Sequence, residues 1–354
     1  MENELGKPLY LEQWNHNVGW SMGANICDFI GNTPLMRLRI SHEGEDFEIL
    51  AKLEFMNPSG SVKDRIAKYI VEQAERAGLL RKGYTIVEAT SGNTGIALSM
   101  VAAAKGYKML VLMPEHMSRE RVKIMQDLGA DVCLTPKELG FEGAVRKAKE
   151  IAERNKGFFY ANQFGNPMNV MAHYHHTGRE IAQQAGRRID IFVAGVGTGG
   201  TIMGVGRLLR EVNSGVRVIA VEPEECAALA AAKAGREAKL GDHKIAGIGD
   251  GFVPEIVNPN EIDEVITIKS DDAMAMASRL NKEYGLMVGI SSGANVLATI
   301  KALRAYGRDK IAATVLPDRV ERYFSTELFS EDYIRSELRS CKRDRECVFL
   351  PPGP

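Results

Sequence analysis

What most constrains this chain is an alternation: short runs of β-branched residues recur between stretches of helical periodicity. Residues 85–88, 108–113, 189–193, 216–221 and 312–316 each read as a buried strand of four to six residues. Gly78, Gly106 and Gly129 stand where helices should end, and Ser61, Ser118 and Ser292 where N-caps should stand. Strand, loop, helix, strand is the order that builds a parallel sheet. The alternation occurs once before about residue 160 and again after about residue 185. The expected fold is therefore α/β with two doubly wound sheets and a binding cleft between them. Residues 1–24, with Trp14 and Trp20, are expected to pack on a neighbouring surface or subunit.

Charge and composition then remove whole classes of function. Lys plus Arg is 45 and Asp plus Glu is 46 in 354 residues, a net charge of −1. That balance lacks the basic excess that follows a phosphate backbone, so no nucleic-acid partner is expected. The chain is 45% hydrophobic and 26% charged, a soluble globular balance with a substantial core. Its longest apolar stretch, near residues 96–104, is about half of the roughly 20 residues needed to span a bilayer, so no membrane role is expected. The acidic start Met1-Glu2-Asn3-Glu4 is unlike a secretory signal, and a cytoplasmic location is expected. Five scattered cysteines without CxxC spacing read as reduced structural thiols. Cys341 and Cys347, six apart in a charged tail, could instead close a small disulfide or hold a metal weakly.

Three segments carry a glycine- and hydroxyl-rich turn into a helix, where unpaired N–H groups and the helix dipole favour an anion. In the first, residues 57–65 (NPSGSVKDR), Ser61 and Asp64 form a capping pattern and Val62, Ile66 and Ile70 a buried stripe. Lys63 falls in the first helical turn, where the dipole and nearby Arg65 should favour its neutral, nucleophilic form. A surface lysine on a capped helix is the plainer alternative. The second segment, residues 90–95 (TSGNTG), crowds three hydroxyls and an amide into one turn, enough to wrap a carboxylate. Those residues are also ordinary turn and cap formers. The third, residues 195–201 (GVGTGGT), satisfies GxGxxG at Gly195, Gly197 and Gly200, with Glu222 at a later strand end. Alone it suggests an NAD(P)-dependent oxidoreductase. That reading leaves Lys63 and the 90–95 turn without a task, whereas one phosphate on residues 197–201 explains the same glycines. An activated lysine, a carboxylate cup and a phosphate cup together are what pyridoxal 5′-phosphate and an amino acid require.

With these residues in order, the chain resembles the cysteine synthase and cystathionine β-synthase family of fold-type II pyridoxal-phosphate enzymes, related to the tryptophan synthase β chain, over roughly residues 25–328. The resemblance rests on seven ordered segments, at residues 31–35, 57–65, 90–95, 162–164, 197–201, 247–252 and 289–293. It implies that Lys63 carries the cofactor and moves the substrate α-proton. Asn93 should meet the ring oxygen, Gly197, Thr198, Gly199, Gly200 and Thr201 the phosphate, and Ser291 the pyridine nitrogen. Thr90, Ser91, Thr94, Gln163 and Gly247 should bind the substrate. The resemblance also implies a larger cofactor-binding domain from residues 25–56 and 165–330, a smaller mobile domain at 57–164, a tail at 331–354 and a homodimer, with residues 1–24 at its interface.

A neutral hydroxyl at Ser291 cannot hold the ring nitrogen protonated as an aspartate does, so transamination is disfavoured. Loss of a Cβ leaving group to an aminoacrylate, followed by thiol or sulfide attack, is then the easier course. The implied reaction makes L-cysteine from O-acetyl-L-serine and sulfide. Cystathionine or lanthionine synthesis, or desulfhydration, from serine or cysteine is the alternative; a catalytically silent homologue is disfavoured because the expected cofactor residues are all present. Two positions depart from many family members: Ala246 replaces glutamine and Asp250 a small apolar residue. If Asp250 points at Cβ, it could take a proton from the nucleophile or hold a substrate amine; otherwise it is an exposed loop carboxylate. His173, His175 and His176 lack the accompanying ligands of a metal site.

Overall fold

The computed structural model describes residues 23–326 and 328, apart from 91, 116–118, 187 and 239. Trp14, Trp20, Ser91, Ser118, Cys341 and Cys347 therefore lie outside the described residues.

Two sheets form. The smaller joins β3 (Thr85–Ala89), β4 (Lys108–Pro114), β5 (Asp131–Thr135) and β6 (Phe158–Tyr160) in the order β5-β4-β3-β6, all parallel. The larger contains β1 (Leu35–His42), β2 (Glu45–Leu53), β7 (Ile191–Gly195), β8 (Arg217–Pro223), β9 (Glu264–Ile268) and β10 (Ala312–Leu316), ordered β1-β2-β10-β7-β8-β9. The last strand in sequence thus sits in the middle of the sheet, between β2 and β7.

β1 departs from the parallel expectation: it runs antiparallel to β2 across a tight turn at Glu43 and Gly44, both at positive φ. As an edge strand it buries Leu38 and Ile40 while exposing Arg37 and Arg39, the alternation of a half-solvated strand.

Helices cover both faces of each sheet, as a doubly wound fold requires. On the larger sheet, α9 (Ser270–Tyr284) and α10 (Ile290–Tyr306) pack Met276, Leu280, Val296 and Ile300 against Ile49, Ile191 and Ile219. On its other face α7 (Gly200–Val212) packs Ile202, Val205 and Leu209 against Phe192 and Ala194. On the smaller sheet α1 (Lys63–Arg76) and α2 (Asn93–Lys105) form one layer, and α4 (Gly140–Arg154) contributes Ala144 and Ala148 to the other.

The predicted stripe of α1 is buried at Val62, Ile66 and Ile70, but its cap differs from the capping pattern read in the sequence. Ser61 Oγ accepts from Lys63 N at 3.3 Å, whereas the Asp64 carboxylate turns back to Ser59, accepting from its N at 2.6 Å and from its hydroxyl. The 57–60 turn brings Ser59 within reach, and Asp64 is spent holding that turn closed. Ser292 likewise lies inside the first turn of α10, whose N-cap position is Gly289. Gly106 ends α2 in the left-handed conformation, and Gly78 and Gly129 also have positive φ, as their positions predict.

Candidate active site

Ligands in open α/β sheets bind beyond the C-terminal strand ends. Here β3 leads into the turn that carries Thr90, Gly92 and Asn93, β7 into the 195–199 glycine loop and β10 into Pro317 and Asp318, and all three open on one cleft. The N-terminus of α1 supplies Lys63 and that of α10 supplies Ser291. Of the residues singled out in the sequence, Lys63, Thr90, Asn93, Thr94, Gln163, Gly197, Thr198, Gly199, Thr201, Gly247, Asp250 and Ser291 line it. Gly200 is buried at the start of α7.

The Lys63 amine is shifted toward its neutral form, but Arg65, one of the two causes the sequence suggests, takes no part. Arg65 points away from it, with Nε 2.6 Å from Glu54 Oε2 and Nη1 2.7 Å from Glu180 Oε1. Withdrawal from water lowers the Lys63 pKa, while the carboxylates of Asp250 and Asp318 oppose the shift. The carboxyl of Asp250 is open to the cleft, yet the surrounding protein displaces enough water to push its pKa up, with Lys63 and His243 pulling it down.

The glycine loop is built for close approach. A Cβ on Gly197 would overlap the Gly247 carbonyl oxygen, and one on Gly200 would overlap Asn169 Oδ1. Gly249 N donates to Val196 O at 3.0 Å, so the 247–250 loop that carries Asp250 is docked on the glycine loop. Thr198 Oγ1 accepts from Asn169 Nδ2 at 2.9 Å, and Thr201 Oγ1 lies 3.3 Å from His173 Nε2. Burial holds His173 neutral, and its Nδ1 meets Thr177 Oγ1 at 2.9 Å; this histidine braces the loop through its hydroxyl contacts. The 90–95 turn is tied to residue 163: Thr94 Oγ1 donates to Gln163 Oε1 at 2.6 Å, and Gln163 Nε2 to Ala89 O at 3.1 Å.

Several cleft residues were given no role in the sequence reading. Arg121 of α3 (Arg119–Asp127) places its guanidinium carbon 5.6 Å from the centre of the Tyr323 ring. Phe141 and Phe164 form part of the wall, their ring centres 5.7 Å apart. Asp318 and Tyr323 form part of the floor. The one available signal was position: Asp318 lies two residues past the last strand.

The cleft residues fit pyridoxal phosphate. The first N–H groups of α7 have no acceptor within the helix, the first pairing being Met203 N to Gly199 O at 3.1 Å, and they face an overlap-free glycine loop suited to a phosphate. Two buried side-chain oxygens of the cleft lining, Asn93 Oδ1 and Asn295 Oδ1, have no protein hydrogen-bond partner and leave polar capacity for a bound group. A dinucleotide fits less well, because Glu222, the expected ribose ligand, accepts from Leu229 N at 2.8 Å and Ala230 N at 2.9 Å and so caps α8 (Ala228–Lys233) instead.

This two-sheet cleft, lined by both a lysine and a glycine loop, is that of a fold-type II vitamin B6 enzyme. The chain belongs to the pyridoxal-phosphate dependent enzymes, whose family model matches residues 26–318. A cysteine synthase of Staphylococcus aureus is 45% identical over 309 residues, covering 87% of this chain and 97% of that one. Among solved structures, the cysteine synthase of Entamoeba histolytica superposes with a TM-score of 0.80 at 40% identity, covering 88% of this chain and 92% of that chain. A hydrogen sulfide-producing enzyme of Fusobacterium nucleatum superposes with a TM-score of 0.82 at 38% identity, covering 89% and 93%. This chain is accordingly a cysteine synthase-type enzyme that uses pyridoxal phosphate.

Proposed function

We propose that this enzyme performs β-replacement, forming L-cysteine from O-acetyl-L-serine and sulfide. The observation that carries the reading is Lys63, a lysine held toward its neutral form between a phosphate loop and a carboxylate-binding turn. When bound, pyridoxal phosphate supplies an electron-withdrawing ring that acidifies Cα–H of an attached amino acid and allows a leaving group to depart from Cβ.

The chain's own residues do the rest. Lys63 would hold the cofactor, and its Nζ, shifted toward the neutral form by withdrawal from water, would be the group that takes the Cα proton. Thr90, Ser91, Thr94, Gln163 and Gly247 orient the substrate carboxylate. Gly197, Thr198, Gly199, Gly200 and Thr201 hold the phosphate, with His173 and Asn169 bracing the two hydroxyls. Asn93 would meet the ring oxygen, and the neutral Ser291 hydroxyl would face the ring nitrogen, which would steer the reaction to β-loss. Residues 57–164 act as the smaller mobile domain against 25–56 with 165–330, in a cytoplasmic homodimer whose mass sedimentation would measure.

A second reading has support in Asp250. Its carboxylate stands in the cleft facing Lys63, where it can accept the proton of an incoming thiol or hold an ammonium, so serine or cysteine with an amino-acid thiol is the alternative substrate pair. Borohydride reduction and peptide mapping test the shared premise: a pyridoxyl group on any residue other than Lys63 refutes both. Rates for O-acetylserine, O-phosphoserine, serine and cysteine, each with sulfide and homocysteine, then decide between them.

A further inference from the structure

Asp318 is where the two halves of the cleft meet. It lies two residues past β10, and only 1% of it is exposed. Its Oδ2 accepts from Asn93 Nδ2 at 2.6 Å, at the head of α2 on the smaller sheet, and from the Tyr323 hydroxyl at 2.7 Å. Its main-chain oxygen accepts from Gly289 N at 3.0 Å, just before α10. The neighbouring Pro317 oxygen accepts from Val62 N at 2.8 Å, beside Lys63. Asp318 Oδ1 is buried, has no protein hydrogen-bond partner and faces Gly289, whose Cβ, if it had one, would overlap it. One carboxylate therefore touches Asn93 on one side and the turn bearing Ser291 on the other.

The chemistry of the bond is directional. A carboxylate only accepts, so it obliges Asn93 to turn its NH2 end toward Asp318; one N–H is used there and one remains for a ring oxygen. Without that acceptor nothing on this side distinguishes the two orientations of the amide. Tyr323, fully buried, anchors the carboxylate from below.

We propose that Asp318 is a positioning residue that clasps the two halves of the cleft and fixes the orientation of Asn93 toward the cofactor ring. The inference rests on the reading of Asn93 as the ring-oxygen contact. The test uses cofactor-loaded wild type and the Asn93→Ala, Asp318→Ala, Asp318→Asn and Tyr323→Phe variants. It follows the visible absorption band, the cofactor dissociation constant, and hydrogen exchange at the first turn of α2. Asp318→Ala should move the band in the same direction as Asn93→Ala, weaken cofactor binding about tenfold and speed exchange about tenfold, the loss expected for one charge-assisted hydrogen bond. Asp318→Asn, which keeps an acceptor oxygen, should recover most of the band and bind within about threefold of wild type. A shifted band in Asn93→Ala with a wild-type band and affinity in Asp318→Ala overturns the inference alone. An unshifted band in Asn93→Ala overturns the Asn93 reading and the inference with it. Equal impairment in Asp318→Asn and Asp318→Ala also overturns it. If Asp318→Ala does not fold, Tyr323→Phe carries the test: it should weaken binding about threefold with a band shift in the same direction, and wild-type behaviour refutes the clasp.

Discussion

Replacing Glu88 by glutamine should flatten part of the pH dependence of stability. Glu88 is fully buried in β3, where its carboxyl accepts from Ala89 N at 3.0 Å and Gln163 N at 3.1 Å, tying the end of the strand to the segment at Gln163. Burial pushes its pKa from 4.5 up to about 8, against the pull of those N–H groups. A carboxyl whose folded pKa is raised binds more protons folded than unfolded between those two values. Stability from this residue is therefore greatest in acid and is lost as pH rises toward 8. At about 1.36 kcal/mol per pKa unit, the wild type should lose about 2 kcal/mol between pH 6 and pH 8 relative to a chain with no ionisable group there. Glutamine keeps one acceptor oxygen but turns an NH2 toward the other backbone N–H, a cost of about 1–2 kcal/mol that does not vary with pH. The predicted signature is thus a slope and not an offset. Urea unfolding of cofactor-free wild type and Glu88→Gln at pH 6, 7 and 8 measures it. Asp64, pushed up to about 6 by burial, titrates in both proteins and cancels. A stability difference that stays constant within about 0.5 kcal/mol across the range would refute the argument.

Other perturbations have equally definite outcomes. Gly200→Ala drives a Cβ into Asn169 Oδ1, displacing the amide that holds Thr198, and should raise the cofactor dissociation constant about tenfold or more by spectral titration. Arg65→Met leaves Glu54 buried without its cationic partner and should destabilise the fold by about 3–5 kcal/mol in chemical denaturation, with Lys63 itself intact. Asp250→Asn removes an anion that raises the Lys63 pKa, so the pH midpoint for cofactor capture in stopped flow should move to lower pH. An unchanged or higher midpoint contradicts that electrostatic picture. Unchanged steady-state rates with every nucleophile in the same variant would remove Asp250 from the chemistry.

The parts of the site that could be read in advance are those encoded in contiguous residues. A loop that gathers consecutive N–H groups needs its glycines side by side, because no Cβ can intrude where they converge, and residues 197–201 show this directly. The 90–95 turn and the position of Lys63 at a helix start are similarly local. Arg65 was misread because sequence nearness to Lys63 implies nothing about direction: on α1 it faces Glu54 and Glu180, the latter 115 residues away. The cap expected from Ser61 and Asp64 failed for a related reason, since the 57–60 turn offered Asp64 a nearer donor in Ser59. The β1–β2 hairpin was passed over because an edge strand with arginines on its open face lacks the continuous apolar run of its buried neighbours.

By itself the sequence determined the class of enzyme, through a lysine and two glycine- and hydroxyl-rich turns each written in a few adjacent residues, on a doubly wound α/β scaffold. Only the tertiary structure decided what surrounds that amine. The 225 residues between Asn93 and Asp318 are bridged because β10, near the end of the chain, inserts between β2 and β7 and delivers Asp318 to the cleft floor. The electric field at Lys63 likewise comes from Asp250 and Asp318, residues far apart in sequence. Charge and solvation act through space, so the position of each group in the folded chain, and not its place along it, sets what the site can do.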